Sequence, residues 1–359
     1  MKKLLALLLA ALFVFVMVAA CDTPADEPAV ADDPVEDVEV PVVEDDDDDA
    51  DDADDEEAPP VEDDEQEFRV AFSLPPIGNA FHAHMRTLID AAVAETPDNF
   101  HFTVINAVDD SDQLRQVEVF FNEGYDLIGI MPNNGTLLTP IAEEIYLAGI
   151  PTIIMNRAID SDLYTSFVTG DNFDSGRQAA VYLAEWLDGE GDVAVFRSMA
   201  GTPIDLDRNA GIMEGFSDFP GINVVIEPDA GFSREGGFEQ MQNVLAAHDT
   251  VVGIVVQDCE ATLGALDAIN AAGRDDIQII VGIGGSQAAM AIYLENDPDH
   301  ILRGTAAYFP LMGPEGVRFA VRILQGDDTV PHQFLEPSAM ITRETVQDFL
   351  AYGWPDFGG

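Results

Sequence analysis

Short apolar runs rich in β-branched residues alternate with longer amphipathic stretches along most of the chain, from Phe68 onward. The short runs predict buried strands, and the apolar spacing of three and four residues in the longer stretches predicts helices. Regular alternation of strands and helices is typical of a parallel sheet that is covered by helices on both faces. We therefore predict an α/β protein.

The elements fall into two series. The first predicts strands at 69–73, 101–106, 127–131, 152–155 and 165–169, with helices such as 81–95 and 113–122. The second predicts strands at 192–196, 223–227, 251–256, 277–281 and 301–305, with helices near 207–218, 234–247, 260–272 and 286–295. A helix at 313–325 and one strand near 334–340 are too little for a third domain. We expect two doubly wound parallel-sheet lobes joined by a hinge: an N-terminal lobe of 67–170 plus 309–335, and a C-terminal lobe and tail of 171–308 plus 336–359.

The first 20 residues have the order of a secretory signal, with Lys2 and Lys3 followed by an unbroken apolar run up to Cys21. The stretch Val18-Ala19-Ala20-Cys21 resembles a bacterial lipobox, which implies cleavage before Cys21 and a lipid anchor on its thiol. The alternative is a plain membrane anchor or a cleavable signal in which this cysteine is incidental.

Residues 21–66 predict a disordered acidic tether. Positions 22–66 hold 24 aspartates or glutamates and no basic residue, so the segment lacks the apolar surface that would offset its ordering entropy. A calcium-binding or cation-binding tail is the alternative, but the segment has no spaced ligands around a turn glycine.

Charge in the remaining chain narrows the classes of partner. Positions 67–359 hold 44 acidic and 13 basic side chains, which disfavours nucleic acid. Lysine is absent after Lys3, a composition that suggests a surface adapted to high salt. Cys259 is the second of two cysteines; with Cys21 lipidated, we expect no disulfide.

Motifs that would indicate an enzyme are missing from the sequence. Gly282-Ile283-Gly284-Gly285 imitates the start of a dinucleotide fingerprint, but the third glycine is absent. No phosphate-binding loop, Gly-x-Ser-x-Gly or His-Glu-x-x-His is present. His82 and His84 are two apart on a predicted helix and so point to different faces. We predict no cofactor, no metal site and no catalytic residue.

Segments at the predicted strand ends carry a resemblance to a known family. They are Asn79-Ala80-Phe81-His82, Asn156-Arg157, Gly170-Asp171-Asn172, Asp207-Arg208-Asn209, Ala230-Gly231-Phe232 and Val256-Gln257-Asp258. From about Phe68 to Met340 the chain resembles the ribose- and galactose-binding proteins of bacterial sugar transporters, the type I periplasmic-binding class.

The resemblance implies a set of ligand contacts: Asn79, Phe81, His82, Asn156, Arg157, Arg208, Phe232, Asp258 and Tyr308. Asn79 is equally well interpreted as a helix cap, and a structural ion pair is the alternative for Arg157. Asp205 could add to the site, although capping its own helix is the favoured interpretation. Gly284 stands where the family commonly places an aspartate, and Tyr308 where it has glutamine or asparagine, so we predict neither ribose nor galactose specifically.

The expected function is capture of a small sugar or polyol by closure of the hinge, followed by presentation to a membrane permease of the ABC type. We expect a monomer, attached to the membrane through its lipid. A binding protein that serves a chemoreceptor or a furanosyl autoinducer is an alternative. An enzyme that uses Asp258 and His82 as acid and base, or a transcriptional regulator, is disfavoured because catalytic motifs and a DNA-binding headpiece are missing.

Overall fold

A computed structural model describes residues 66–355; the predicted signal, Cys21 and all but the end of the predicted tether lie outside these residues. The strands are β1 Phe68–Leu74, β2 Phe100–Asn106, β3 Leu127–Ile130, β4 Thr152–Met155, β5 Ser166–Gly170, β6 Glu190–Phe196, β7 Gly221–Ile226, β8 Val251–Val256, β9 Ile279–Gly284, β10 Leu302–Ala307, β11 Gln333–Glu336 and β12 Met340–Thr342. The helices are α1 Ala80–Val93, α2 Asp110–Asn122, α3 Gly135–Leu147, α4 Asn172–Trp186, α5 Pro203–Ser217, α6 Arg234–Ala247, α7 Cys259–Ala272, α8 Gln287–Leu294 and α9 Met312–Leu324, with a 3₁₀ turn at Val346–Asp348.

The strands form two six-stranded sheets. The first has the order β11-β5-β4-β3-β1-β2 and the second β12-β10-β9-β8-β6-β7. All pairings in the first sheet are parallel, and the second departs from this only at β12, which runs antiparallel to β10. The prediction of an α/β fold with two doubly wound parallel sheets is confirmed.

The prediction of one strand near 334–340 is wrong. Two short strands occupy this stretch: β11 pairs with β5 in the first sheet, and β12 pairs with β10 in the second. Pro337 lies between them and has no N–H to donate, so a continuous ladder is not possible there. The chain crosses from one sheet to the other at this break.

Two further crossings connect the sheets. The chain leaves β5 at Gly170 and enters α4, which packs on α5 and β9 beside the second sheet. It returns after β10 into α9, which packs on α1 and on the strands of the first sheet. Three crossings therefore lie side by side, near Gly170, Tyr308 and Glu336.

Helices α4 and α5 approach each other through glycines. A Cβ placed on Gly176 would lie 2.2 Å from the carbonyl oxygen of Arg208, and one on Gly211 would lie 2.0 Å from that of Phe173. Such distances are far below van der Waals contact, so neither position has room for a side chain. This close packing sets the position of Arg208 on α5.

None of the helices in the part of the chain that the structure describes is long and apolar enough to cross a membrane.

We expect Gly211→Ala to lower the free energy of unfolding by about 1–3 kcal/mol, because the added methyl group forces the two helix backbones apart. Urea denaturation measures the change. Gly78→Ala is the matched control, since a Cβ at Gly78 meets no atom within 4 Å. Equal stability of the two variants would contradict this account of the α4–α5 contact.

Candidate ligand-binding site

A cavity lies at the carboxyl ends of the strands of both sheets. Its empty space, open solvent included, is about 620 Å³. All nine side chains that the sequence predicts as ligand contacts line it: Asn79, Phe81, His82, Asn156, Arg157, Arg208, Phe232, Asp258 and Tyr308. That they contact a ligand stays a prediction; the structure brings them together around one space.

Asn79 has the capping role considered for it, and it also lines the cavity. It is the N-cap of α1, and its Oδ1 accepts the backbone N–H of His82 at 2.9 Å. The cap holds the first turn of the helix against the cavity, with Phe81 and His82 on its lining. The Phe81 ring stacks on Tyr308 with centroids 6.0 Å apart.

His82 is a neutral imidazole at neutral pH. Burial, together with repulsion from the Arg157 guanidinium, lowers its pKa to about 4. Its Nδ1 is buried and has no hydrogen-bond partner among residues 66–355. His84 does not line the cavity, and those same residues hold no cluster of side chains that could bind a metal ion.

Asn156 and Arg157 lie just beyond β4. Asn156 adopts a left-handed conformation with φ 62°, which asparagine tolerates better than most residues. Its N–H donates to the Val168 carbonyl at 2.8 Å. The resulting turn directs Arg157 to the cavity, and the Arg157 Nη1 donates to the backbone and side-chain oxygens of Asn133 at 3.1 and 3.2 Å.

Asn133 is a positioning residue that the sequence interpretation missed. Its backbone N–H donates to Gln113 Oε1 at 2.8 Å, and its side chain donates to Asp110. Gln113 is fully buried and donates to the Met131 carbonyl at 2.8 Å. The available signal was Asn133 itself, a polar residue that follows strand β3 at the cavity end of the sheet.

Arg208 is buried at 4% exposure on α5. Its Nε donates to Asn172 Oδ1 at 3.0 Å, and its Nη1 donates to the backbone carbonyl of Gln257. The guanidinium carbon lies 4.6 Å from the centre of the Tyr308 ring, a distance typical of cation–π contact.

Tyr308 contacts residues of both sheets. Its hydroxyl donates to Asn156 Oδ1 at 3.0 Å and lies 3.3 Å from Thr169 Oγ1, whereas its backbone N–H donates to the Gly284 carbonyl at 2.8 Å. Gly170 is required beside it, because a Cβ there would lie 2.3 Å from a ring carbon of Tyr308.

Asp258 is the N-cap of α7, and its Oδ1 accepts the Ala261 N–H at 3.0 Å. Burial raises the pKa of its carboxyl, while the N–H groups of the helix and the Arg208 charge oppose the rise. Since one oxygen is used in the cap, Asp258 has reduced capacity for ligand hydroxyls. Phe232 lines the cavity just before Ser233, the N-cap of α6.

The interpretation of Asp205 as a helix cap is wrong. Thr202 occupies the N-cap position of α5, and its side chain makes no capping hydrogen bond. Asp205 is fully buried in the first turn and accepts two hydrogen bonds of 2.6 Å from Arg197. This bidentate pair holds Asp205 away from the cavity lining.

The cavity also has lining residues that the sequence interpretation did not include: Ala80, Ile204, Cys259, Glu260, Ile283, Gly284 and Trp354. Trp354 is 70 positions after Gly284, in the C-terminal segment, where no motif or periodicity marks it. In the sequence, Ile204 and Ile283 cannot be distinguished from ordinary apolar core residues.

Arginines in the cavity lack carboxylate partners. Of the 13 arginines among residues 66–355, all but Arg157, Arg208 and Arg303 have a carboxylate oxygen within 4.0 Å. Arg157 therefore forms no ion pair with another residue of 66–355, and the alternative of a structural ion pair is wrong for this part of the chain. Neutral oxygens hold both cavity guanidiniums, which leaves their remaining N–H groups available.

Comparison with known proteins agrees with this geometry. The sequence pattern of the periplasmic binding protein domain matches residues 70–328. The ribose import binding protein of Bacillus subtilis is 26% identical over 264 residues, which cover 73% of this chain and 83% of that protein.

Solved structures show the same fold. A solute binding protein of an ABC transporter from Bacillus halodurans, with bound myo-inositol, has 27% identity and a TM-score of 0.73 over 81% of this chain and 99% of that one. The fructose binding periplasmic domain of a hybrid two-component system has 27% identity and a TM-score of 0.70 over 79% and 93%. With the family pattern spanning most of the folded residues, this chain belongs to the periplasmic binding protein domain family.

Proposed function

We propose that this protein captures a small sugar or polyol outside the cytoplasm and delivers it to an ABC-type importer, without catalysing a reaction. The observation that carries the proposal is the cavity itself, where two arginines lie among aromatic rings at the ends of both sheets. Neither arginine has a carboxylate oxygen within 4.0 Å among residues 66–355. Planar N–H donors beside aromatic faces suit a molecule with hydroxyl groups and an apolar ring face.

Named relatives support this class of ligand. The Bacillus subtilis relative is a ribose import protein, and the Bacillus halodurans structure contains myo-inositol. A furanose-forming sugar and a cyclic polyol share vicinal hydroxyls on a compact ring. Arg157 and Arg208 would donate to such hydroxyls, because each has N–H groups beyond those bonded to Asn133, Asn172 and the Gln257 carbonyl.

The rest of the cavity fits the same ligand. Phe81 and Phe232 would cover the ring faces, while Asn156 and Asp258 would accept or donate at further hydroxyls. Each ligand hydroxyl that is buried without a partner would cost about 1–3 kcal/mol, so the arrangement of these groups selects the ligand.

Capture would occur by closure of two lobes. We propose lobes of 67–170 plus 309–335 and of 171–308 plus 336–359, which bend at the crossings near Gly170, Tyr308 and Glu336. The placement of β11 in the first sheet and β12 in the second supports this division. A ligand that contacts Arg157 on one side and Arg208 on the other would stabilise the closed form.

Attachment to the membrane would come from Cys21. This residue and the acidic tether lie outside the described residues, so the proposal of lipid anchoring rests on the signal-like N-terminus and the lipobox-like Val18-Ala19-Ala20-Cys21. A tether that carries charges of one sign repels itself and extends, which would let the folded part reach a permease.

Sensing is the second candidate function. The similarity to the fructose binding periplasmic domain of a hybrid two-component system favours it, because that domain belongs to a signalling system. Both functions need the same ligand capture, and they differ in the membrane partner.

A thermal-shift screen of the intact chain in high salt, against pentoses, hexoses, polyols and furanosyl signals, tests the proposal. We expect a ligand that raises the melting temperature of the parent chain. Arg208→Ala should weaken its binding about 10- to 100-fold, since hydrogen bonds from a charged donor are worth about 1.5–3 kcal/mol.

Arg303→Ala is the matched control for that screen. Arg303 also lacks a carboxylate partner within the described residues, but it lies outside the cavity, 4.6 Å from the centre of the Trp186 ring. Its substitution should leave the affinity unchanged. If no sugar or polyol raises the melting temperature of the parent chain, the proposed ligand class is wrong. If Arg208→Ala binds the ligand as tightly as the parent chain does, the ligand does not bind at Arg208.

His82 should make the fold sensitive to mild acid. Its folded pKa of about 4 lies below the ordinary 6.5, so between these values the unfolded chain binds a proton that the folded chain does not. Stability from the neutral imidazole is complete above pH 6.5 and is lost as pH falls toward 4. We expect His82→Gln to reduce the loss of unfolding free energy between pH 7 and pH 5 by roughly 1–2 kcal/mol.

Urea denaturation at several pH values measures this dependence, with His332→Gln at an exposed position as the control. If His82→Gln and His332→Gln lose stability in parallel with the parent chain, the imidazole of His82 is not the acid-sensitive group.

A further inference from the structure

We propose that Trp354 determines the specificity of the cavity, and that it selects a sugar with a deoxy or methyl-bearing edge over its fully hydroxylated counterpart. This inference rests on the proposed function and names the ligand class more narrowly. The part of the lining concerned, here termed the apolar wall, consists of Phe81, Cys259, Ile283, Gly284 and Trp354.

Trp354 is held in place by its own segment of chain. Its carbonyl accepts the Gln287 N–H at 2.8 Å, and the Gln287 side chain donates to the Gly353 carbonyl at 3.1 Å. Phe309 packs on Phe349 and Tyr352 of the same segment, with ring centroids 6.0 and 5.6 Å apart. Trp354 is therefore fixed at the cavity, with only 3% of its surface exposed.

Gly284 leaves no room for a side chain at the end of β9, where Cys259 and the indole of Trp354 lie close by. A Cβ at Gly284 would lie 2.9 Å from Cys259 Cβ and 3.4 Å from Trp354 Cη2. Its φ of 142° is also one that side chains rarely adopt. The end of β9 therefore contributes no side chain here, and the benzo edge of Trp354 lies in van der Waals contact with this position.

The apolar wall joins residues from both sides of the cavity. Phe81 lies on α1, which follows strand β1 of the first sheet. Trp354 accepts a hydrogen bond from Gln287, the first residue of α8, which follows β9 of the second sheet. The rings of Phe81 and Trp354 meet edge to face at 5.4 Å, with an interplanar angle of 90°. This geometry is a favourable aromatic contact, so Trp354 also contributes to the contact across the cleft.

The apolar wall has few hydrogen-bonding groups, and some of these already bond to other residues of the protein. The Gly284 carbonyl accepts the Tyr308 N–H, and the Trp354 carbonyl accepts the Gln287 N–H. The cavity's strong polar groups meet elsewhere, where Arg208 stacks on Tyr308 and Tyr308 donates to Asn156. A ligand that bonds to that cluster would place another edge on the apolar wall. A hydroxyl there would find few partners for the hydrogen bonds that it loses with water, whereas C–H groups would pack well.

Calorimetry with matched sugar pairs tests the inference on the intact chain. The pairs are D-fucose with D-galactose, L-rhamnose with L-mannose, and 5-deoxy-D-ribose with D-ribose. We expect at least one deoxy member to bind the parent chain about 10-fold more tightly than its hydroxylated partner, as one unpaired buried hydroxyl costs about 1–3 kcal/mol. Trp354→Ala should bring that ratio close to one, and Trp354→Phe should keep most of it.

Fluorescence gives a second readout that does not depend on affinity. The chain has two tryptophans, Trp186 and Trp354, and Trp186 does not line the cavity. In Trp186→Phe the emission comes from Trp354 alone, so a bound deoxy sugar should shift or quench it. In Trp354→Phe the same sugar should leave the emission of Trp186 unchanged. Trp186→Phe also serves as the control for binding.

Several results would overturn the inference while leaving sugar binding intact. They are equal affinity within every pair, an unchanged ratio in folded Trp354→Ala, or constant Trp354 emission at a sugar concentration that saturates calorimetric binding. Failure of every sugar and polyol to bind the parent chain is a different result, because it removes the proposed function itself.

Discussion

The contact between Arg208, Tyr308 and Asn156 links most parts of this structure. Tyr308 lies at one of three chain crossings. Its ring contacts the guanidinium of Arg208, beside the second sheet, and its hydroxyl donates to Asn156, which follows a strand of the first sheet. Gly170 at a neighbouring crossing has no side chain because the ring occupies that space. The same aromatic residue therefore connects both sheets, lines the cavity and lies at the proposed hinge. Any movement of the lobes has to rearrange these contacts.

The cavity holds two arginines within a very acidic chain. Carboxylates outnumber arginines more than threefold in positions 67–359, and most arginines of the described part are paired with one. Arg157 and Arg208 are instead held by amide and backbone oxygens of Asn133, Asn172 and Gln257. Neutral acceptors fix the position of a guanidinium without neutralising it. Both guanidiniums thus line the cavity without a carboxylate oxygen within 4.0 Å among residues 66–355.

Helix caps and cavity-lining residues coincide at several positions, and this made the cavity lining predictable. A parallel strand ends where the next helix begins, so cap residues such as Asn79 and Asp258 lie at the cavity edge of the sheet. Sequence interpretation found both, although it treated the two roles as alternatives for Asn79. It failed for Asp205, because this buried carboxylate pairs with Arg197, which directly follows β6 and precedes Asp205 by eight residues.

The sequence by itself determined the alternation of strands and helices, the α/β class and the strand-end residues that surround the cavity. These follow from local periodicity and from a rule of parallel sheets, so they can be read from neighbouring residues. Three features were decided by the tertiary structure alone. The chain passes from one sheet to the other at Pro337, Asn133 accepts hydrogen bonds from Arg157, and Trp354 packs beside Gly284. Each of these joins segments that are distant in the chain. Their contacts depend on how the crossings and the C-terminal segment pack, and no local pattern in the sequence encodes that packing.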